Sequence, residues 1–531
     1  MALWLALALP ALPLQLATRA LDAATAAALP VAVADGPAQR PRVAFCNDAA
    51  RDAGVQRGQK LAAAQALSRE LIVLPRQPER EAAALHELAC WGYQFSAAVV
   101  PRDDGLAHGL LLEIGGSLRL FGGRTLLLRR LQAELAALGF RAHTGIAPTP
   151  AAAWWIALAR SSGRSARDAL APDELAAALD PLPLPLLAAQ PGWEEPTQAT
   201  LRTLGLATLG DLQRLPRAGL RKRFAAQLLA SLDRAYGRVP DPQPPFEPPA
   251  RFEAGIELPA DLVDSTLLML PAERLLRSLE GFLRGRDVGA IELVFRAMHS
   301  PRRAQPVPPT PIVLNLAAPE RDAARLSKLL AERLTRVQLP APAIALRLTV
   351  ERLQRFAAIN ASLLPPSPTD GTPDLDWLRL AETLHARLGS ERVFQLQVVD
   401  DHRPEHAQRR VPVAVEPSTT RTSAASAQAS AATAAADSDD TTPPRPLLLL
   451  PAPRPLPQQD EQPSYDGPLT LITGPERIEA GWWDLASPAA GQPAGAVHRD
   501  YFVARNPRGQ VLWVFRELTA PRGWFLHGFF A

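Results

Sequence analysis

Apolar and polar positions follow two different patterns along the first 160 residues, and together they predict a mixed α/β region. Short apolar runs of strand length lie at Leu3–Leu9, Leu71–Leu74 and Leu110–Ile114. Between them lie alanine-rich stretches with helical spacing, at Gly58–Glu70 and Leu126–Leu138. Because strands and helices succeed each other in turn, we expect a sheet covered by helices.

The next part of the chain is predicted to be helical, with leucine-rich stretches interrupted by tight turns. The stretch Pro240–Pro249 (PDPQPPFEPP) follows, and it cannot continue a helix because proline lacks the backbone N–H. We interpret it as a rigid tether. Beyond the tether, the pattern predicts a helix at Pro271–Arg284 and strands that begin at Ala290 and Ala343.

The composition of the C-terminal third of the chain changes twice. The stretch DLDWLRLAETLHARLGS is predicted to be a helix, whereas residues 417–442 are Ser, Thr and Ala with almost no large apolar side chain, which predicts disorder. The last segment is aromatic-rich and alternating, as in a small β-unit. These changes predict boundaries at 1–165, 166–240, 241–355, 356–415, 416–465 and 466–531.

The first 20 residues, MALWLALALPALPLQLATRA, have the composition of a signal peptide or of a buried strand. No positive charge precedes Arg19, and a signal peptide normally begins with one. The run also contains prolines and is short for a membrane span. We therefore favour a strand in a cytoplasmic, nucleoid-associated protein with no membrane partner. A secreted or membrane-tethered protein is the alternative, which N-terminal sequencing of the mature protein distinguishes.

Composition excludes two classes of protein. The 57 basic and 54 acidic residues leave a net charge of +3, which excludes a strongly cationic, histone-like chain but not a local basic face. The 54 prolines are consistent with several units on stiff connectors. Two cysteines, Cys46 and Cys90, cannot build a disulfide framework or a zinc cluster, so a reducing compartment is expected.

Four segments, in this order, resemble motifs of the Y-family (translesion) DNA polymerases. Val43–Gln59 resembles the fingers segment, and GLLLEIGGSLRLFGG from Gly109 resembles the palm strand that carries the family's Ser-Ile-Asp-Glu motif. HTGIAPTPAAAWWIALAR from His143 resembles the helix start that follows, and Gln190–Leu212 resembles the helix-hairpin-helix thumb. The resemblance implies an α/β palm and fingers (1–165), a helical thumb and an α+β little finger, followed by a C-terminal extension.

Later segments resemble one branch of that family. These are ARLGSERVFQ, the stretch Asp400–Ala407 (DDHRPEHA) and the terminal YFVARN…WVFRE…WFLHGFFA. The branch is a polymerase-like accessory protein of a bacterial mutagenesis cassette. The resemblance implies an adaptor in DNA-damage-induced translesion synthesis that binds primer–template DNA. Its implied protein partners are the β sliding clamp, the α subunit of an error-prone replicative-type polymerase and a RecA-like small accessory protein.

The carboxylates of the family's active site are missing from the aligned positions. Polymerases use two Mg²⁺ ions held by acidic side chains. Here the aspartate of the opening strand aligns with Ala6, the Asp-Glu pair with Ile114 and Gly115, and the triphosphate-binding lysine with Trp154. We therefore predict no cofactor and no nucleotidyl transfer. A slip of two residues would bring Glu113 to the glutamate position, so an active polymerase with unusual ligands is the alternative.

A cluster of basic residues is the candidate DNA-binding site. Between Arg214 and Arg238 the sequence has seven basic residues and one acid, Asp233, and a thumb would place them against phosphates. A solvated helix face is the alternative. The candidates are Arg214, Arg217, Arg221, Lys222 and Arg223, with Arg284 and Arg286 on the little finger.

Two further features have both a functional and an ordinary interpretation. The peptide Asn360-Ala361-Ser362-Leu363-Leu364 resembles the clamp-docking motif Gln-x-x-Leu-Phe, with Asn360, Ser362, Leu363 and Leu364 as the candidate contacts. An ordinary exposed loop is equally compatible with so short a motif. The pairs Trp154-Trp155 and Trp482-Trp483 could stack on bases, but we favour core packing for both.

Overall fold

The computed structural model describes residues 2–37, 39–190, 193–223, 226–300, 306–355, 375–389, 391–412, 445–481, 497–519 and 522–530. The chain divides into two units, Met1–Arg387 and Leu388–Ala531. Within the described ranges, no helix combines the length and the apolar character that a membrane crossing requires.

The N-terminal part of the first unit contains two sheets and seven helices within the described residues. Its elements are β1 (Trp4–Leu9), α1 (Leu12–Thr18), α2 (Ala23–Ala28), β2 (Val31–Asp35), β3 (Arg42–Cys46), α3 (Asp48–Asp52), α4 (Leu61–Leu67), β4 (Ile72–Pro75), α5 (Pro78–Gly92), β5 (Val99–Asp103), β6 (His108–Glu113), α6 (Arg124–Ala137), β7 (His143–Ala147) and α7 (Pro150–Ser161). Four strands form the palm sheet, in the order β5-β6-β1-β7, and the other sheet has the order β3-β2-β4.

The opening apolar run is an inner strand of the palm sheet, which confirms the prediction of a strand. It pairs antiparallel with both β6 and β7. Leu5, Leu7 and Leu9 point to the rear face, where α5 and α6 pack, because alternate side chains of a strand lie on opposite faces. Ala6 and Ala8 point to the front face, under α7 and the helices that follow it.

The helices after α7 extend the core on the front face. They are α8 (Leu175–Leu179), α9 (Glu195–Thr203), α10 (Leu209–Gln213), α11 (Arg217–Arg223) and α12 (Ala226–Ala235), with short 3₁₀ turns at Pro172–Glu174 and Leu184–Leu187. Their leucines join α7 and the front face of the sheet in one hydrophobic cluster. This region, 166–240, occupies the position of the expected thumb, so we call it the thumb.

The part after the tether is a sheet with helices on one face, which we call the little finger. Its elements are β8 (Phe252–Leu262), a 3₁₀ turn (Ser265–Leu268), α13 (Met269–Arg286), β9 (Val288–His299), β10 (Thr310–Glu320), α14 (Ala323–Leu334), β11 (Ala343–Val350), β12 (Leu353–Arg355) and α15 (Leu375–Leu388). The strand order is β10-β9-β11-β8, with β12 beside β9. The predicted strands from Ala290 and Ala343 are confirmed as β9 and β11.

The second unit is built from β-strands. They are β13 (Phe394–Val398), β14 (Gln408–Pro412), β15 (Leu448–Leu456), β16 (Gln458–Gln459), β17 (Gln462–Pro463), β18 (Thr470–Ala480), β19 (Val497–Arg505), β20 (Val511–Glu517) and β21 (Gly523–Phe529). Five of them form one antiparallel sheet, in the order β15-β21-β20-β19-β18. Its aromatic side chains pack as expected, and the rings of Tyr501 and Trp513 stack 4.2 Å apart.

The boundary of the C-terminal module differs from the prediction. Strand β15 lies inside the range 416–465 expected to be linker, because its leucines pair with β21 at the end of the chain, a long-range contact that composition does not reveal. The turn within Asp400–Ala407 also packs on this sheet, since Arg499 donates to the Glu405 carboxylate at 2.8 Å. The sheet therefore begins before residue 466 and includes contacts from the DDHRPEHA segment.

Two glycines on the front face allow α7 to lie directly on the palm sheet. A Cβ atom at Gly145 would come 2.6 Å from the backbone nitrogen of Ala157, and one at Gly109 would come 2.7 Å from the ring of Trp154 and collide with the carbonyl of Leu7. Real Cβ contacts of this length do not occur, so a side chain at either position would push the helix off the sheet.

We predict that Gly109→Ala lowers the free energy of unfolding by about 1–3 kcal/mol, because the added methyl group overpacks this contact. Urea denaturation followed by circular dichroism measures the loss. Gly116→Ala is the matched control, since the nearest atom to its added methyl is 3.9 Å away. Equal stability of the two variants would contradict the packing described here.

Candidate nucleic-acid interface

The front face of the palm sheet, where the family's metal ligands were expected, is apolar between β1 and β6. Ala6 lies opposite Leu111, and Ala8 lies opposite Gly109. Ile114, by contrast, packs in the rear cluster. In the alignment with the polymerase motifs, Ala6 and Ile114 both occupy positions that carry metal ligands in the family. The structure places these two residues on opposite faces of the sheet, where two carboxylates could not share an ion. The cause is the strand register, which periodicity does not define.

Glu113 is the acid that the alternative hypothesis needed, and its carboxylate is bonded to the backbone. Its Oε1 accepts hydrogen bonds from the N–H groups of Leu3 and Gly115, both at 3.0 Å. Glu113 lies opposite Trp4, on the same face as Ala6 but two residues further along the strands. Through these hydrogen bonds, Glu113 connects the end of β6 to the start of β1.

Trp154 covers the front face from above. Its side chain is completely buried, and its indole N–H donates to Asp104 Oδ2 at 2.6 Å. The guanidinium of Arg102 lies 5.3 Å from the ring centroid, and burial lowers the pKa of Arg102. A neutral, buried ring therefore stands at the position that the sequence resemblance aligns with the triphosphate-binding lysine.

The residues on this face do not fit a pair of Mg²⁺ ions. Magnesium is held by oxygen ligands, and the positions that face each other across β1 and β6 carry Ala6, Ala8, Gly109 and Leu111. The carboxylate of Glu113 is engaged by backbone donors. We derive no metal-dependent step for this chain.

The thumb arginines are exposed, and three of them pair with two acids: the counted Asp233, and Asp211, which lies just before the counted stretch. Arg214 pairs with Asp211 at 3.1 Å, and Arg217 and Arg238 both bond to Asp233. Burial pushes the pKa of Asp233 up, but hydrogen bonds from the two guanidinium groups outweigh it and hold the pKa below its usual value. Two arginines thus share one carboxylate, which leaves an excess of positive charge at this end of the thumb.

The basic run Arg221-Lys222-Arg223 ends α11, and its side chains lie outside the described part of the structure. The preceding turns match the predicted helix-hairpin arrangement. Gly205 adopts a left-handed conformation (φ 68°) between α9 and α10, and Thr208 begins α10 in a capping box with Asp211. These turns are held by local hydrogen bonds, so they place α10 and α11 in a defined orientation.

Arg284 and Arg286 are separated from the thumb by the palm sheet. Both lie near the end of α13, which packs against α5 and α6 on the rear side. Arg284 pairs with Glu280 at 2.6 Å, and Arg286 donates to the carbonyl of Pro249. The structure does not bring them beside Arg214 and Arg217, and DNA contact by them remains a prediction.

The open face of the little-finger sheet has two arginines that the sequence analysis missed. Arg296 on β9 lies directly opposite Arg347 on β11, and both side chains are exposed. Like charges in this position repel each other. Arg296 donates to Thr349 Oγ1 at 3.2 Å. The alternating pattern of each strand indicated exposure, but only the pairing of β9 with β11 brings them together.

Of the other candidates, one tryptophan pair lies within the described residues, and two sites lie outside them. Trp154 and Trp155 are both buried, which confirms core packing. The peptide Asn360, Ser362, Leu363 and Leu364 lies outside the described residues, as does the pair Trp482-Trp483.

We predict that Glu113→Ala lowers the free energy of unfolding by about 1–3 kcal/mol, because two backbone N–H groups lose their acceptor. Urea denaturation with and without added Mg²⁺ measures the effect, and the loss should be the same in both. Glu70→Ala, an exposed control, should have no effect. If Mg²⁺ stabilised the unaltered chain and not the Glu113 variant, Glu113 would be a metal ligand.

Several known proteins are similar to this chain. Residues 18–157 match the impB/mucB/samB family. DNA polymerase IV of Yersinia pestis (strain Pestoides F) is 27% identical over 212 residues, which cover 39% of this chain and 57% of that protein. A crystal structure of DinB from Sulfolobus solfataricus covers 66% of this chain and 98% of that one, at 15% identity and a TM-score of 0.36. Protein ImuB of Caulobacter vibrioides (strain NA1000 / CB15N) is 31% identical over 502 residues, which cover 90% of this chain and 100% of that protein. The chain therefore belongs to the ImuB family.

Proposed function

We propose that this chain is a polymerase-like adaptor that binds primer–template DNA without catalysing nucleotide transfer, in DNA-damage-induced translesion synthesis. It bridges the β sliding clamp to the α subunit of an error-prone replicative-type polymerase and to a RecA-like accessory protein. The proposal combines membership of the ImuB family with the structure of the palm and thumb.

The apolar front face of the palm sheet is the observation that carries the proposal. A catalytic palm must expose carboxylates to two metal ions and leave room for a triphosphate. Here Trp154 is buried against Gly109, and the strand positions beneath it are alanine, glycine and leucine. The same region of the fold that would perform chemistry is therefore part of the hydrophobic core.

Exposed arginines of the thumb support DNA binding. Phosphate contacts do not depend on base sequence, and they supply most of the affinity of a non-specific binder. Arg214 keeps 77% of its side chain exposed, and Arg217 and Arg238 keep 43% each. The guanidinium groups can exchange Asp211 and Asp233 for phosphates, because surface ion pairs of this kind contribute little stability.

The protein partners belong to the C-terminal half in this proposal. The peptide around Leu363 and Leu364 follows the little finger, which is a suitable position for a clamp-docking motif. The β-sheet belongs to the second unit of the chain, whereas the palm, thumb and little-finger sheet belong to the first. Such an arrangement raises the effective concentration of bound partners near the DNA.

We predict that reversing three charges, Arg221→Glu, Lys222→Glu and Arg223→Glu, weakens DNA binding at least about tenfold for all sequences alike. The slope of log affinity against log salt should also become shallower, because fewer counterions are released. Fluorescence anisotropy with labelled primer–template DNA at several salt concentrations measures both quantities.

A matched control reverses three exposed arginines outside the thumb: Arg129, Arg141 and Arg336. These changes alter the net charge by the same amount and should leave the affinity within about threefold. Equal losses in the two triple variants would show that the thumb is not the binding surface.

We predict that Leu363→Ala with Leu364→Ala abolishes co-purification with the sliding clamp, because apolar side chains fill the pocket of a docking site. Pull-down of purified clamp by the tagged full-length chain is the measurement. The exposed pair Leu447 and Leu448, changed to alanine in the same way, is the control. Clamp retention by the first variant would place the docking site elsewhere.

A further inference from the structure

The tether Pro240–Pro249 forms a strap with contacts at three points, two on the palm and one on the little finger. At its start, Asp241 Oδ2 accepts a hydrogen bond from the backbone N–H of Ala151 at 3.2 Å. In its middle, the ring of Phe246 packs edge-on against His86 at 4.9 Å. At its end, the carbonyl of Pro249 accepts from Arg286. The strap therefore follows the palm from the thumb to the little finger.

Phe246 is bound to the palm through both its backbone carbonyl and its ring. Its carbonyl accepts a hydrogen bond from the Tyr93 hydroxyl, and its ring lies 6.1 Å from the Tyr93 ring. The same ring packs against both the rear core of the palm and the core of the little finger. It thus joins the two cores at the place where the chain passes between them.

Helix α13 of the little finger crosses α5 of the palm at unusually close range. Gly281 and Gly285 lie one turn apart on the same face of α13. A Cβ atom at Gly281 would come 2.8 Å from the Gln94 side chain and would collide with the Trp91 ring, and one at Gly285 would come 2.8 Å from Tyr93 Cβ. The two helices fit together only because both positions lack a side chain.

The hydrophobic core continues across this boundary. Cys90 belongs to α5 but is buried in the little-finger cluster, with 4% of its surface exposed. Two polar contacts accompany it: Arg80 pairs with Glu257 at 3.0 Å, and Arg274 donates to the carbonyl of Leu21 at 2.8 Å. Separation of the two parts would expose Cys90 and leave these groups without their partners.

We propose that the strap and the helix crossing hold palm and little finger together as one rigid body, with Phe246 as the latch. Domains joined by polar, wet contacts move relative to each other by default, whereas a large apolar interface prevents such motion. Closely packed surfaces separate or stay together and do not slide gradually, because every small shift creates clashes or voids. The thumb and the little finger therefore keep fixed positions on opposite sides of the palm sheet, also when DNA is bound.

The second part of this inference rests on the proposed DNA binding, and it has a consequence for affinity. A binding surface that is already in place loses less conformational freedom on association than one that must assemble. The Arg296–Arg347 pair would then stand in the same position relative to the palm in the free and the bound chain.

Reactivity of Cys90 towards a small disulfide reagent tests the inference in the full-length chain. Cys46→Ser leaves Cys90 as the single thiol, since the chain has two cysteines. Burial raises the pKa of Cys90 to about 12, so a docked chain should react far more slowly than the urea-unfolded chain. We expect Phe246→Ala to accelerate the reaction roughly tenfold by weakening the docking. Its exposed neighbour Glu247→Ala is the matched control and should react at the original rate.

Gly285→Leu should also accelerate the Cys90 reaction, because the leucine side chain forces α13 away from α5. Circular dichroism shows whether each variant is folded under the reaction conditions. Fast reaction of Cys90 in the unaltered chain would overturn the docked arrangement. Equal rates for Phe246→Ala and Glu247→Ala would overturn the latch.

Primer–template DNA is added to a parallel sample, and anisotropy reports its binding. Bound DNA together with an accelerated Cys90 reaction would show that the two parts separate. Absence of binding would contradict the proposed function, and the rates measured without DNA would still decide whether the two parts are docked.

Discussion

Direct contact between α7 and the front face of the palm sheet determines what this chain can do. The contact requires glycine at positions 109 and 145, because any side chain there would collide with the helix. It places the indole of Trp154 directly over Gly109 on the front face of the sheet. A closely packed core has no room for metal ions, water or a triphosphate, so stability and catalysis compete for the same space. In this chain the hydrophobic core occupies that space.

The rest of the first unit is arranged in layers around that core. The thumb extends the front cluster, and α5 and α6 cover the rear face. The little finger adds a further layer through α13, which packs closely on the palm where Gly281 and Gly285 leave space. The basic groups are distributed over these layers, with the thumb arginines in front and Arg284 behind. A surface that binds DNA is therefore defined by the packing of the layers more than by the order of basic residues along the chain.

Local patterns predicted much of this architecture and could not predict the pairing of distant segments. The strand that opens the chain, the strands from Ala290 and Ala343, and the burial of Trp154 follow from alternation and composition. The alignment of Ile114 with a metal ligand was wrong, because a period of two assigns faces but not register. The strand Leu448–Leu456 lies in the range predicted as linker, because its four-leucine run (447–450) is surrounded by prolines and its partner strand ends the chain.

Primer extension with purified full-length chain, Mg²⁺ and all four deoxynucleotides distinguishes a DNA-binding adaptor from a polymerase. The same primer–template is used for anisotropy, so that binding and chemistry are measured on one substrate. We expect a bound duplex whose primer stays at its original length. Nucleotide addition by the bound chain, abolished by Glu113→Gln, would show that the palm holds catalytic metal ions and that the chain is an active polymerase.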